Sequence, residues 1–162
     1  MEQENIERMG KAEAKAEAKA EPKAEPKAEA KAEPRPESKQ SLKSLLVEMA
    51  EQIDGVLCIA VAGSDGVAIS THVPSGSMIN GELAAAQLAA IFRMSRATSD
   101  KLKAGEVEDN LLTSAAGQIL IKPLNTESYL AIVTSKDAPL GIMRLVIKSY
   151  AGKVEQALGK VG

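Results

Sequence analysis

The spacing of apolar residues between positions 40 and 160 alternates between helical and strand-like patterns. Apolar residues three and four positions apart predict an amphipathic helix in QSLKSLLVEMAEQIDG, with Gly55 as its C-terminal cap. Two apolar runs then flank GSDG, where Gly66 adopts a positive φ at little cost, so this segment predicts a β-hairpin. After a short loop, a long helix is predicted from about residue 79 to 103.

The rest of the chain predicts three strands and a final helix. The strands are placed at roughly 106–114, 118–124 and 128–134, and the second ends near Pro123, which lacks an amide hydrogen. The final helix is expected to have Asp137 or Ala138 at its N-cap and Pro139 in its first turn. Its apolar seam comprises Leu140, Met143, Ile147, Tyr150 and Val154. Because a hairpin and a meander form an antiparallel sheet, the predicted class is α+β.

The N-terminal part of the chain follows a different pattern. Residues 11–36 repeat K-A-E-(A/P) with a period of four, which places like charges one helical turn apart, and prolines interrupt the repeat. No apolar stripe is available for packing. Residues 1–39 are therefore predicted to form a disordered, solvated tether, and residues 40–160 the folded domain. An electrostatic contact with a partner is the alternative role for this tether.

Composition excludes several classes of function. The 162 residues include 20 basic and 22 acidic side chains, and the formal net charge of −2 does not favour nucleic-acid binding. No apolar run is long enough for membrane insertion, and the N-terminus lacks the apolar segment of a signal peptide. The one cysteine, Cys58, lies in an apolar run and is expected to be buried. The expected location is the cytoplasm.

The sequence offers little that could perform chemistry. His72 is the one histidine, and neither Cys58 nor any serine lies in a motif that would activate a nucleophile. Phosphate-binding glycine motifs and Cys/His metal-binding spacings are absent from the sequence. We therefore predict no catalytic, cofactor-binding or metal-binding residues, although a site made of carboxylates alone is left open. An enzyme is the least favoured class, and a binding module is the expected one.

The long helix, GELAAAQLAAIFRMSRATSDKL, is apolar on two faces. At about 100° per residue, one face is predicted to cover the sheet, and it comprises Ala84, Ala85, Leu88, Ile91 and Phe92. The second face lies across the helix and comprises Leu83, Ala86, Ala90, Met94 and Ala97. Small side chains permit close approach of another helix, so this second face is predicted to contact another chain. The alternative is that the first or last helix of the same domain covers it.

Over about residues 41–158 the chain resembles the Roadblock (dynein light chain Roadblock) family. The resemblance rests on the order and spacing of three segments, LLVEMAEQIDGVLCIAVAGSDGVAIS, ELAAAQLAAIFRMS and GQILIKPLNTESYLAIVTSKDAPLGIMRLVI. It implies a Roadblock/profilin-like fold, in which a five-stranded antiparallel sheet carries the long central helix on one face and the terminal helices on the other. It also implies a homodimer formed through the long helix and the adjacent edge strand.

The resemblance further implies a function of the bacterial or archaeal GTPase-regulator type. Family members act as platforms for small Ras-like GTPases, as scaffolds or as GTPase-activating partners. We expect one GTPase per dimer, bound through its switch regions in the GTP state. Arg93 and Arg96 are the helix-borne candidates for an arginine finger, and the alternative is that they are solubilising surface charges. The rim of the groove between the two long helices is expected to include Ala89, Arg93, Arg96 and Ala97. The alternatives are a structural scaffold without a GTPase partner and a small-ligand sensory module. The predicted partner and dimer interface comprises Leu83, Ala86, Ala89, Ala90, Arg93, Met94, Arg96, Ala97 and Leu111.

Overall fold

The computed structural model describes residues 36–160, and it describes side chains from residue 41 onward. The predicted tether therefore lies largely outside the described residues. The described part contains three helices and five strands. In chain order these are α1 (Pro36–Glu51), β1 (Val56–Gly63), β2 (Ala68–His72), α2 (Gly81–Leu102), β3 (Asn110–Thr113), β4 (Gly117–Pro123), β5 (Ser128–Ser135) and α3 (Leu140–Gly159). Helix α1 thus begins four residues before the predicted domain boundary, at a proline, a residue favoured in the first helical turn.

The five strands form one antiparallel sheet in the order β2-β1-β5-β4-β3. Strand β5 lies at its centre between β1 and β4, and the β1–β5 pairs include Ile59 with Ile132 and Val61 with Leu130. Strands β2 and β3 are the two edges, and β2 carries an irregularity opposite Val61 and Ala62. The α+β prediction with a five-stranded antiparallel sheet is confirmed.

Helices α1 and α3 cover one face of this sheet. Their apolar seams pack on alternate residues of the central strands, including Ile59, Leu130 and Ile132, because side chains two apart along a strand share a face. The predicted seam of α3 is buried as expected at Met143, Ile147, Tyr150 and Val154, while Leu140 is partly buried against the same cluster. The larger of the two hydrophobic clusters lies here.

Helix α2 covers the opposite face, where the packing is dominated by small side chains. Ala85, Leu88, Ala89 and Phe92 of α2 are buried against strand residues that include three alanines. Those strand alanines are Ala60, Ala62 and Ala131. Methyl groups on both sides of the contact let the helix lie close to the sheet. Part of the alanine content of α2 therefore serves the domain's own packing. The sequence predicted this for Ala85, whereas it placed Ala89 in the partner interface.

The local signals at the ends of the elements are partly confirmed. Gly66 in the β1–β2 turn has φ +90°, as the hairpin prediction required. Asn80 caps α2, since its side-chain oxygen accepts a hydrogen bond from the amide of Leu83 at 3.0 Å. The prediction for α3 is wrong at its start. Pro139 itself is the N-cap and no side chain caps the helix, so Asp137 and Ala138 precede the cap.

Strand β3 is shorter than predicted. It spans four residues, because the segment before Asn110 forms a loop that turns at Gly105, where φ is +93°. This loop follows Lys103, which ends α2 in the left-handed conformation.

No helix between residues 36 and 160 combines the length and the hydropathy needed to cross a membrane.

Candidate partner-binding surface on the long helix

The second apolar face of α2 is exposed to solvent. Leu83 and Met94 are 59% and 69% exposed, and Ala86, Ala90 and Ala97 are exposed beside them. Neither α1 nor α3 covers this face, because both helices pack on the other side of the sheet. Five of the nine predicted interface residues therefore lie together on one unpartnered helix face.

Two other predicted interface residues lie elsewhere. Ala89 is fully buried between α2 and the sheet, so its prediction as an exposed rim residue is wrong. The buried stripe of α2 is rotated towards Ala89 because the β1–β2 turn approaches this side of the helix. A Cβ on Gly66 would lie 3.2 Å from Ala86 Cα and 3.6 Å from Ala89 Cβ.

Leu111 of β3 packs against the cluster under α1 and α3, on the face opposite α2. Its neighbour Leu112 points to the α2 side, since it pairs with Ile119, which packs in the α2 cluster. Leu112 is 46% exposed. The exposed β3 leucine on the α2 side of the sheet is therefore Leu112. The alternation rule could have identified it once the register of β3 was known.

The remaining two predicted residues, Arg93 and Arg96, bind the domain's own backbone. The Arg93 guanidinium donates a hydrogen bond to the carbonyl oxygen of Ser64 in the β1–β2 turn. Arg96 donates to the carbonyl oxygen of Thr126 in the β4–β5 turn at 2.5 Å, and its guanidinium lies 5.6 Å from the centroid of the Phe92 ring. Periodicity could not predict these contacts, because each joins residues about thirty positions apart.

The aromatic pair under α2 connects the helix to the centre of the sheet. The rings of Phe92 and Tyr129 have centroids 5.2 Å apart, and the Tyr129 hydroxyl donates to the backbone carbonyl of Ala85 in α2. Burial raises the pKa of the Tyr129 phenol to about 12, while nearby Arg93 lowers it and Asp65 raises it in smaller measure. Tyr129 is therefore a neutral hydrogen-bond donor at physiological pH.

A polar contact ties the other side of α2 to the edge strand. The side-chain amide of Asn110, the first residue of β3, donates to the Ser95 hydroxyl. That hydroxyl in turn donates to the carbonyl of Ile91 at 2.8 Å. The start of β3 is thereby tied to α2.

A cleft of about 600 Å³ lies between the end of α2, the α2–β3 loop and the β4–β5 turn. Its charged lining includes Asp100, Glu106, Glu108 and the cations Arg96 and Lys122. Both cations are engaged by backbone carbonyls, Lys122 by that of Glu108 at 3.2 Å. The volume is in the range of small-molecule sites. The small-ligand alternative would place its ligand here.

The groups considered for chemistry lie apart from this surface. Cys58 is fully buried in the α2 cluster, as expected, and burial raises the pKa of its thiol. His72 is the last residue of β2 and is partly exposed. Within the part of the chain that the structure describes, no three His, Cys, Asp or Glu side chains lie close enough together to hold a metal ion.

Comparisons with known proteins agree on the family. The sequence model of the Roadblock/LC7 domain family matches residues 42–134. The chain is similar to a solved Roadblock/LC7 domain from Streptomyces avermitilis, with a TM-score of 0.58 at 14% identity over 69% of this chain and 96% of that one. It is also similar to the gliding protein MglB from Thermus thermophilus, with a TM-score of 0.66 at 12% identity over 77% and 90%.

A third similar structure is MglC from Myxococcus xanthus, with a TM-score of 0.54 at 22% identity over 72% of this chain and 98% of that one. No curated protein matches the chain in sequence. At these identities the structural likenesses show a shared fold. The family model, however, covers more than half of the sequence, and the elements it matches are those that place α2 and the sheet together. This chain belongs to the Roadblock/LC7 family.

Proposed function

We propose that this protein is a homodimeric regulator of a small Ras-like GTPase and performs no chemistry of its own. Membership of the Roadblock/LC7 family supports the regulatory role. The observation that carries the proposal is the exposed apolar face of α2, together with the exposed Leu112 on the α2 side of the edge strand β3. A contiguous apolar surface of this kind on a soluble domain marks an interaction site.

The dimer is proposed to form by pairing of α2 and β3 with the same elements of a second copy. Leu83 and Leu112 are apolar side chains that such a contact would bury, and an unpaired edge strand favours addition of another strand. The GTPase would then bind the composite surface that two adjacent α2 helices form. Because switch segments of such GTPases change on nucleotide exchange, this surface could distinguish the GTP form from the GDP form.

A matched pair of leucines tests the dimer. Leu83 on α2 and Leu145 on α3 are both exposed helical leucines, at 59% and 64%, and they lie on opposite sides of the sheet. Light scattering should report a monomer for Leu83→Asp and an unchanged dimer for Leu145→Asp. If Leu83→Asp leaves the wild-type dimer intact, α2 does not join the two copies.

The GTPase is tested with the Ras-like GTPases encoded in the same genome, each loaded with GDP or with a non-hydrolysable GTP analogue. The wild-type protein should bind at least one of them at least about tenfold more tightly in the GTP-analogue form, a difference of about 1.4 kcal/mol. A hydrolysis assay with that GTPase then shows whether hydrolysis is accelerated or the active form is only captured. Equal affinity for both forms, or no binding across the whole set, would reject the GTPase proposal.

A further inference from the structure

Two arginines on successive turns of α2 each hold a distant β-turn. Arg93 donates to the carbonyl of Ser64 between β1 and β2, and Arg96 donates to the carbonyl of Thr126 between β4 and β5. The turns are also joined to each other, because the Ser64 amide donates to the Glu127 carbonyl at 2.6 Å. Two hairpin turns and one helix are thus linked by three hydrogen bonds at the same end of the sheet.

The turns are ordered internally as well. The Asp65 carboxylate accepts a hydrogen bond from the Val67 amide at 3.0 Å. In the other turn, the side-chain oxygen of Asn125 accepts from the amides of Glu127 and Ser128 at 2.9 and 2.8 Å. Gly66 lies against the backbone of α2 at Ala86. The turn backbones consequently have little freedom left to lose when a partner binds.

The Arg96 side chain is in contact with the core as well as with the turn. The Arg96 guanidinium lies over the Phe92 ring, and that ring packs on Tyr129, which is bonded to α2 through the Ala85 carbonyl. Guanidinium groups bound in this way to carbonyl oxygens form charge-assisted hydrogen bonds, which are stronger than neutral ones. Each arginine therefore uses its charge within the domain, although the Arg93 side chain remains exposed.

We infer that Arg93 and Arg96 are positioning residues, which fix the β1–β2 and β4–β5 turns against α2 so that the two turns form one preorganised surface for the GTPase beside the dimer-forming face of the helix. The inference rests on the proposed function for the identity of that partner. It replaces the expectation that these arginines contact the GTPase directly. The turn tips carry Asp65 and Glu127, so the surface they add beside α2 is acidic.

Amide hydrogen exchange tests the positioning without any partner. Arg93→Gln should raise the exchange rates of the Ser64 and Val67 amides about tenfold, and Arg96→Gln should do the same at Glu127 and Ser128, since local opening becomes easier. Arg144→Gln is the matched control, because Arg144 is an exposed arginine facing Asp109 at 3.5 Å on the other helical layer. Unchanged exchange in both turns for Arg93→Gln and Arg96→Gln would overturn the inference.

Binding kinetics separate positioning from direct contact. The GTPase used is the one that binds the wild-type protein in the comparison of GDP and GTP-analogue forms. Arg93→Gln should raise the dissociation rate of this complex about tenfold and leave the salt dependence of its association rate unchanged. A slower association with a weaker salt dependence would instead show that the Arg93 charge meets the partner, which overturns the inference. If no GTPase binds the wild-type protein, the proposed function fails, and the exchange rates alone decide whether the arginines position the turns.

Discussion

Lys103 ends α2 in a conformation that disfavours any side chain. Its φ and ψ are 54° and 36°, and its amide donates to the carbonyls of Ser99 and Asp100, as in helix ends that usually carry glycine. Lys103→Gly should raise the free energy of unfolding by about 0.5–1 kcal/mol, because glycine adopts this conformation without the Cβ clash.

The control for this prediction is Lys101→Gly, two residues earlier and still within α2. There glycine replaces a residue with ordinary helical geometry, so the same change should lower stability by up to about 1 kcal/mol. Urea denaturation of the two variants measures both effects. A loss of stability for Lys103→Gly would show that the left-handed lysine is not strained.

The Tyr129 phenol makes the free energy of unfolding depend on pH in the alkaline range. Its pKa in the folded state is about 12, above the ordinary value of 10.0, so the unfolded chain loses the proton first. The resulting stabilisation is complete below pH 10 and is lost as the pH rises from 10 towards 12. At neutral pH, Tyr129→Phe should cost about 1 kcal/mol, because it removes the hydrogen bond to the Ala85 carbonyl.

Chemical denaturation at several pH values checks this. The stability difference between wild type and Tyr129→Phe should shrink between pH 10 and 12, whereas Tyr150→Phe, which keeps Tyr129, should still lose stability across this range. A difference that stays constant across this range would contradict the account of Tyr129.

Sequence periodicity was most informative for the long helix α2. It identified the two apolar faces but not the exact extent of the buried one. An apolar repeat identifies which residues share a face, so the exposed set of Leu83, Ala90 and Met94 was predicted correctly as a separate face. It could not say how far the buried stripe extends, because that depends on where the β1–β2 turn approaches the helix. Ala89 was misplaced for this reason. The face of the sheet that Leu111 occupies could not be predicted either, because the register of β3 is not encoded locally.

At the level of this helix, Ala90→Glu is predicted to prevent dimer formation. Ala90 is exposed in the single chain and lies at the centre of the face proposed to meet a second α2. Burying an unpaired carboxylate between two helices would cost several kcal/mol, on the order of the whole free energy of a weak association. Gln156→Glu adds a charge to an exposed position of α3 and serves as the control.

Light scattering across a concentration series should show a monomer for Ala90→Glu and the wild-type mass for Gln156→Glu. Circular dichroism should be unchanged for both, since neither side chain enters the core. A dimer of wild-type mass for Ala90→Glu would exclude this face from the interface.

For the whole molecule, the N-terminal repeat is predicted to be dispensable for folding. Its sequence lacks an apolar pattern, and among the residues whose side chains the structure describes the hydrophobic clusters begin at Leu42 and end at Leu158. The predicted boundary would place the cut after residue 39, but α1 begins at Pro36, so the cut belongs before Pro36. Removal of residues 1–35 should leave the melting temperature within a few degrees of the full chain.

A longer deletion provides the comparison. Removal of residues 1–46 also takes away Leu42 and Leu46, which α1 buries against the sheet, and should lower the melting temperature strongly or prevent folding. Calorimetry of the three proteins distinguishes these cases. A large loss from the shorter deletion would mean that the repeat contributes to the fold.

The packing of alanine against alanine beneath α2 offers a way to change the affinity of this protein for a partner. Ala85 and Ala89 meet Ala60, Ala62 and Ala131 of the sheet, and these methyl groups set the thickness of the layer between helix and strands. A valine at any of these positions would thicken that layer and displace the outward face of α2 relative to the edge of β3. Substitutions that no partner could ever touch would thus adjust the strength of association, and a search for affinity variants should include the buried alanines.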